Sequence, residues 1–205
     1  AWDYDNWASL GNEGWSFDDM LPIFKRAEQF VGTGNDDYHG TDGPLTVSDL
    51  TDPHPASKTF IEAAEECGLE HNPDINAETQ LGAGLYHVTQ RDSERCSSAA
   101  AYIKPVLDRE NLTVETRAHV TKIRLDGTHT VGVTYDKDGE EHSPDVTKEV
   151  IVSGGAFNSP QLLMLSGIGP KDQLEDHDID VVVDLPGVGQ NLQDHLFTFV
   201  VYERT

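Results

Sequence analysis

The stretch Gly155-Ala156-Phe157-Asn158-Ser159-Pro160-Gln161-Leu162-Leu163-Met164-Leu165-Ser166-Gly167-Ile168-Gly169-Pro170 decides the fold. It follows the apolar run 146–152, which has the pattern of a buried strand, and Pro160 can open an apolar helix over 161–166. A strand that passes directly into the small residues Gly154, Gly155 and Ala156 leaves room for a bulky flat ligand at its carboxyl end. Close packing of a strand against a helix requires the same small residues, so both interpretations stay open.

Around this stretch, helix and strand patterns alternate over 97–185 and predict an α/β layer. The turn signals Asp126-Gly127 and Asp138-Gly139 indicate a β-meander or hairpin insertion at about 126–148. The polar, turn-rich segment 31–57 predicts a second lobe. The periodicity predicts helices at 16–29, at 55–67 with Gly68 as C-cap, and at 97–107 with Ser97 or Ser98 as N-cap. It predicts strands at 45–47, 112–114, 120–125, 131–135, 146–152, 181–183 and 197–202.

The charge balance is strongly acidic. Against 14 Lys and Arg the 205-residue chain has 37 Asp and Glu, a formal net charge of −23. Nucleic acid and anionic membranes are therefore poor partners. No run approaches the roughly 20 apolar residues of a membrane span, and residues 1–5 lack the pattern of an export signal. Acidity spread along the whole chain indicates the cytoplasm of a salt-adapted organism, with an ordinary acidic mesophile protein as the alternative.

Several common sites are not indicated. Cys67 and Cys96 lie in no paired metal spacing, so buried reduced thiols are expected. The nine histidines show no zinc-ligand spacing, and we predict no metal site. Asp136–Glu141 lacks the ligand spacing of a calcium loop and indicates a hairpin turn. Gly187-Val188-Gly189 follows an apolar strand pattern, but Leu192 stands where a dinucleotide fingerprint has its third glycine, which favours a tight structural turn.

Several segments in register resemble one family. The stretch 155–170 closely resembles the second signature of the glucose-methanol-choline (GMC) oxidoreductases, which are flavoenzymes that oxidise alcohols. Asp184–His195 is similar to the next landmark of that family. Upstream, 3–7, 14–16, 39–45 and 95–102 contain further family-like motifs in the same order. The resemblance covers practically the whole chain and is closest to the choline-dehydrogenase-like branch.

The resemblance implies an α/β fold, α+β overall. It would consist of part of a discontinuous Rossmann-type FAD-binding domain and a substrate domain built on an antiparallel sheet. On this basis residues 1–95 are expected to belong mainly to the substrate domain, and 96–185 to the FAD-binding domain with the meander inserted at about 126–148. Residues 186–205 are expected to return into the substrate-domain sheet.

The resemblance also implies a reaction. FAD accepts a hydride from the alcohol carbon, while a neutral His takes the hydroxyl proton. The amino-terminal GxGxxG and the carboxyl-terminal catalytic His of the family have no counterpart here. We therefore expect a fragment that is inactive in isolation and carries no catalytic residue. The alternative is a non-catalytic remnant, or a binding or scaffold module, of the same fold; a hydrolase lacks support because no Gly-x-Ser-x-Gly elbow occurs.

By the same resemblance, six residues are expected to lie at the cofactor. Val120, on the strand 117–124, would face the adenine through its backbone N–H and C=O groups, although packing in the sheet explains its side chain equally well. Gly154, Gly155 and Ala156 would be small because the dinucleotide passes close to them. Asn191 and Asp194 lie in the later landmark, where a structural or supporting role is favoured over direct contact.

Overall fold

The chain divides into two compact units, Ala1–Thr113 and Val114–Thr205. The structure is a computed structural model and describes residues 1–34, 36–199 and 201. The expected division at residues 95 and 185 stays a prediction. Among the described residues, no helix has both the length and the apolar character needed to cross a membrane.

Unit 1–113 combines short helices with small sheets. Strands β1 and β2 pair in parallel, with Glu28 opposite Leu45, and β3 and β4 form an antiparallel hairpin. The elements of this unit are α1 (Trp2–Ser9), α2 (Phe17–Ala27), β1 (Glu28–Val31), β2 (Leu45–Ser48), α3 (Pro55–Glu66), β3 (Gln90–Arg91), β4 (Glu94–Arg95), a π-helix (Ala99–Ile103) and a 3₁₀ turn (Lys104–Val106).

The loop between β1 and β2 lies directly against the backbone of the α2–β1 junction. Gly40 accepts a hydrogen bond from the Phe30 N–H at 2.7 Å, and the Gly43 N–H donates to the Glu28 carbonyl at 2.8 Å. A Cβ on Gly40 would lie 1.7 Å from the Lys25 carbonyl oxygen. Only a residue without a side chain fits this contact, which explains the glycine at position 40.

Unit 114–205 is built on a three-stranded antiparallel meander in the order β5-β6-β7, followed by helices and a short parallel strand pair. Its elements are β5 (Ala118–Asp126), β6 (His129–Lys137), β7 (Glu140–His142), α4 (Gly155–Leu165), β8 (Ile168–Gly169), α5 (Lys171–Asp176) and β9 (Val183–Asp184). Ile168 pairs in parallel with Val183.

The structure contains the predicted meander, but over 118–142 rather than about 126–148, and its turns lie at the Asp-Gly signals. Asp138 and Gly139 have φ of +55° and +86°, the backbone of a two-residue turn that matches the twist of a hairpin. Lys137, at the end of β6, pairs with Glu115. The hydrogen bond from Lys137, together with its charge, lowers the pKa of Glu115.

Two helix predictions were wrong in extent. The helix predicted over 16–29 ends at Ala27, because residues from Glu28 onward pair with β2 instead. The segment 97–107 contains a π-helix and a 3₁₀ turn rather than an α-helix, and Pro105 has no N–H for an α-helical bond. Ser97 nevertheless caps it as expected, since its hydroxyl accepts from the Ala100 N–H at 3.2 Å.

Several strand predictions were also wrong. Residues 112–114 form no strand, and 146–152 only begins to pair, through the Val146 N–H to the Val131 carbonyl at 3.0 Å. The strand predicted at 181–183 is shifted to Val183–Asp184. Residues 197–199 are not in a strand, and residues 200 and 202 of that prediction lie outside the described residues. A buried strand forms only where neighbours complete its hydrogen bonds.

The core of each unit is small. The buried hydrophobic residues among those described are Cys96, Ala101, Ile123 and Leu174. Cys96 is 2% exposed and confirms the expected buried thiol, whereas Cys67 follows α3 on the surface, so its predicted burial was wrong. Large apolar side chains such as Phe60 in α3 remain exposed.

Candidate cofactor-binding site

The start of α4 is exposed and uncapped. Gly154 occupies the N-cap position and offers no side chain to the first helical N–H groups, which leaves these donors available to an anion. Residues 154–158 are all exposed. The helix begins at Gly155, earlier than the predicted 161, and Pro160 lies inside it, where it cannot donate a backbone hydrogen bond.

Gly154 and Gly155 are glycines for two different physical reasons. Gly155 has φ of +84°, a conformation that side chains disfavour, and the space in front of its Cα is open, with no atom within 4 Å of an added Cβ. A Cβ on Gly154 would lie 3.1 Å from the Cβ of Asn158, in the first turn of α4. Gly155 therefore faces open space, whereas Gly154 packs closely against the first turn of α4, and the cofactor contact of both residues stays a prediction.

Val120 lies on β5, at the edge of the three-stranded sheet. It pairs with Tyr135, and the register slips between Val120 and Lys122, which makes Thr121 an extra residue on this strand. The Val120 side chain is 38% exposed. Val120 is thus partly exposed at the edge of this sheet, and its contact with the adenine stays a prediction.

Ser166 joins α4 to β5 and was not among the residues singled out from the sequence. Its hydroxyl donates to the Leu162 carbonyl at 2.6 Å and accepts from the Ile123 N–H at 2.8 Å. Ser166 is 3% exposed. A serine at a helix end carries no sequence signal for a partner 43 residues away, so only the structure reveals this contact.

We expect Ser166→Ala to destabilise unit 114–205 by about 1–3 kcal/mol, because the buried Ile123 N–H loses its acceptor. Urea unfolding monitored by circular dichroism measures the change. Ser153→Ala, at an exposed position before α4, is the matched control and should change stability by less than about 0.5 kcal/mol. Equal losses in both variants would contradict the role assigned to Ser166.

The family-like segment 184–195 packs against α4 through Gly189. A Cβ on Gly189, which has φ of +75°, would lie 3.5 Å from Cε of Met164 and 3.8 Å from Cβ of Pro160. Asn191 has φ of +55° and is exposed. Asp194 is also exposed, and its carboxylate accepts from the His195 N–H at 2.9 Å. The turn at 187–189 is a structural one packed on the helix, as favoured by the sequence.

All six predicted residues therefore belong to one unit, and contacts join the elements that carry them. Ser166 at the end of α4 is hydrogen-bonded to β5, and Gly189 of the segment 184–195 packs against α4. The structure places Gly155 and Ala156 at the exposed helix start, Val120 on the edge strand, and Asn191 and Asp194 on the surface of the loop.

Comparison with known families gives a match that spans nearly the whole chain. The family model described as GMC oxidoreductase matches residues 1–197. The chain belongs to the GMC oxidoreductase family. The family predicted from the motifs at 155–170 and 184–195 is confirmed.

The relatives of the chain include a choline dehydrogenase and an alcohol dehydrogenase. Mitochondrial choline dehydrogenase of Mus musculus is 47% identical over 200 residues, covering 98% of this chain and 33% of that protein. The alcohol dehydrogenase [acceptor] of Pseudomonas putida is 45% identical over 196 residues, covering 95% of this chain and 36% of that protein. The chain spans about a third of the length of these relatives.

Solved structures of GMC oxidoreductases share the fold. An FAD-dependent oxidoreductase from Chaetomium thermophilum has a TM-score of 0.83 at 29% identity, over 90% of this chain and 34% of that chain. A formate oxidase has a TM-score of 0.83 at 27% identity, over 94% and 34%. The predicted mixed α/β fold of the GMC type is confirmed.

Proposed function

We propose that this chain is part of an FAD-dependent oxidoreductase that acts on the CH–OH group of an alcohol. The observation that carries the proposal is the 47% identity to a choline dehydrogenase across 98% of the chain. The uncapped start of α4 and the open space at Gly155 support the FAD part of this proposal, because they offer N–H donors and room for a cofactor. The alternative is a non-catalytic remnant, or a binding or scaffold module, of the same fold.

The residues at this site fit a dinucleotide. Free N–H donors at the start of α4 suit a phosphate group, and the open side of Gly155 admits one without a steric clash. We assign to Val120 a backbone contact with the adenine, which its place on an edge strand and its partial exposure support. Asn191 and Asp194 are assigned supporting roles on the loop that packs on α4 through Gly189.

Bound FAD would supply the hydride acceptor for oxidation of the alcohol carbon. The chain's own contribution is to bind and orient the cofactor through β5, the start of α4 and the loop 185–195. Orientation matters because hydride transfer requires the donor carbon and the acceptor to be held within reach. We assign no proton-accepting residue within this chain.

Activity of the complete protein encoded by the gene tests the proposal. The purified protein is loaded with FAD and assayed with choline and a series of primary alcohols, with an artificial electron acceptor to detect turnover. The proposal predicts FAD-dependent oxidation of at least one alcohol. FAD binding without turnover of any alcohol would favour the non-catalytic alternative instead.

We also propose that the protein works in the cytoplasm of a salt-adapted organism, on the basis of the net charge of −23. Carboxylates far outnumber cationic side chains, so their mutual repulsion opposes folding at low ionic strength. Salt shortens the range of this repulsion from about 10 Å at 0.1 M to about 3 Å at 1 M.

We therefore expect the melting temperature of the complete protein to rise by several degrees between about 0.1 M and about 2 M KCl. Differential scanning calorimetry across this series measures the shift. Because sulfate and phosphate stabilise most proteins by exclusion from the surface, KCl is the salt to use. A melting temperature that is independent of KCl would exclude the salt-adapted interpretation.

A further inference from the structure

Three titratable side chains converge inside unit 1–113, apart from the cofactor-binding residues. They are His39 in the loop after β1, Asp74 in the loop after α3, and His87 in the segment before β3. Their side chains are buried, with 5%, 8% and 4% exposed. One ligand atom from each of the three residues lies within 4.8 Å of the other two.

In each histidine of this cluster, one ring nitrogen faces Asp74 and the other faces a second carboxylate. Nδ1 of His39 lies 2.9 Å from Oε2 of Glu28, while its Nε2 lies 3.0 Å from Oδ2 of Asp74. Nε2 of His87 lies 3.4 Å from Oδ1 of Asp49, while its Nδ1 points to Asp74 at 4.0 Å. His39 has the arrangement of a histidine metal ligand, in which a carboxylate behind the ring fixes the nitrogen that faces the metal. The His87 contact with Asp49 is an ion-pair distance and not a hydrogen bond.

His87 supplies a second, independent observation. Neither Nδ1 nor Nε2 of this buried ring has a hydrogen-bond partner among the residues that the structure describes. A buried polar group without a partner costs free energy, about 1–3 kcal/mol, and native proteins rarely leave one in this state. A ligand bound to Nδ1 of His87 would give this nitrogen a partner on the side of the ring that faces Asp74.

The surroundings hold the three side chains in place. The ring of Phe30 stacks on His39, with centroids 4.0 Å apart, and meets His87 edge-on at 4.8 Å. The Asp74 carboxylate accepts from the Asn76 N–H at 3.1 Å, and the Asp74 N–H donates to the Asn72 side chain at 3.0 Å. The cluster is therefore positioned by packing and hydrogen bonds rather than lying loose on the surface.

We propose that His39, Asp74 and His87 bind one divalent zinc ion through Nε2, a carboxylate oxygen and Nδ1. Two imidazoles and one carboxylate form a zinc donor set that leaves a fourth position open. Zinc–ligand bonds of about 2.0–2.1 Å place tetrahedral ligands about 3.3 Å apart. The separations here are 3.2 Å between His39 Nε2 and Asp74 Oδ1 and 4.0 Å between Asp74 Oδ1 and His87 Nδ1. All three ligand atoms lie within 4.8 Å of one another, so the His87 ring must move towards the other two ligands to close the site.

Zinc binding by the complete protein tests this site. After metal removal with a chelator, the protein is titrated with Zn²⁺, and bound metal is counted by elemental analysis after dialysis. We expect one zinc per chain at this site, and His87→Gln should abolish it. Glu28→Gln removes the negative charge behind His39 and keeps an amide oxygen that can accept from the Gly40 N–H, which Glu28 also binds at 3.0 Å. It should weaken zinc binding about tenfold to a hundredfold.

His71→Gln is the matched control, because His71 is 58% exposed and pairs with Glu65 outside the cluster; it should bind zinc like the wild type. Co²⁺ substitution gives a second readout, since four-coordinate cobalt with imidazole ligands absorbs strongly in the visible range. Zinc content that is equal in the wild type, His87→Gln and Glu28→Gln would overturn the proposal. So would a Co²⁺ spectrum that His87→Gln leaves unchanged, because that variant removes one of the three proposed ligands.

Discussion

Val120→Pro in the complete protein is expected to lower the affinity for FAD about tenfold to a hundredfold. The substitution removes the backbone N–H that we assign to the adenine, and a buried acceptor left without its donor costs about 1–3 kcal/mol. Val120→Ala keeps the N–H and C=O groups and should weaken binding only modestly. Fluorescence titration of the apoprotein with FAD measures all of these affinities.

Proline also disrupts β5 itself, so the comparison needs a second proline. Lys122→Pro is the matched control because Lys122 lies on the same strand, is exposed and pairs with Thr134 of β6. It should damage the strand as much as Val120→Pro while leaving the adenine contact intact. If Val120→Pro binds FAD no worse than Lys122→Pro, the assignment of Val120 is wrong.

Gly40→Ala is expected to destabilise unit 1–113 by at least about 3 kcal/mol. The new Cβ would lie 1.7 Å from the Lys25 carbonyl oxygen, a distance that no side-chain rotation relieves because the obstacle is backbone. Moving the loop away would break the hydrogen bond from the Phe30 N–H to the Gly40 carbonyl. Denaturant unfolding with a probe of secondary structure measures the loss.

The control for this substitution is Gly187→Ala. Gly187 is exposed, and an added Cβ there meets no atom within 4 Å, so stability should change by less than about 1 kcal/mol. An unfolding midpoint of Gly40→Ala equal to that of the wild type would show that the loop can move freely. The close contact described at the α2–β1 junction would then be incorrect.

Local signals predicted those parts of the fold that local contacts stabilise. Asp126-Gly127 and Asp138-Gly139 indicated the meander, because hairpins are fixed by their turn residues and by adjacent strands. Pro55 and Gly68 bounded α3 to within a residue, since capping is a property of the helix end itself.

Signals that depend on distant partners predicted less. The apolar run 146–152 has the composition of a buried strand, yet it pairs only at its beginning, at Val146. Strand formation depends on neighbours that the run itself does not encode. The same reason explains why residues 112–114 form no strand.

The two candidate sites also differ in whether their sequence signal is local or depends on distant residues. Gly155 was predicted from an unbroken motif, and its φ of +84° and open surroundings agree with a place for a ligand. The cluster of His39, Asp74 and His87, where we propose a zinc ion, has no signal in the sequence, because its members are 35 and 13 residues apart. Spacing rules find zinc sites only where ligands are close along the chain.

Reduction of the bound flavin by an alcohol tests the central claim most directly. The complete protein is reconstituted with FAD, freed of oxygen and mixed with choline or a primary alcohol, and the visible flavin absorption is followed. We predict that the absorption bleaches in a reaction that requires the alcohol. A protein that binds FAD but shows no bleaching with any alcohol, although dithionite reduces its flavin, would contradict the assignment as an alcohol oxidoreductase.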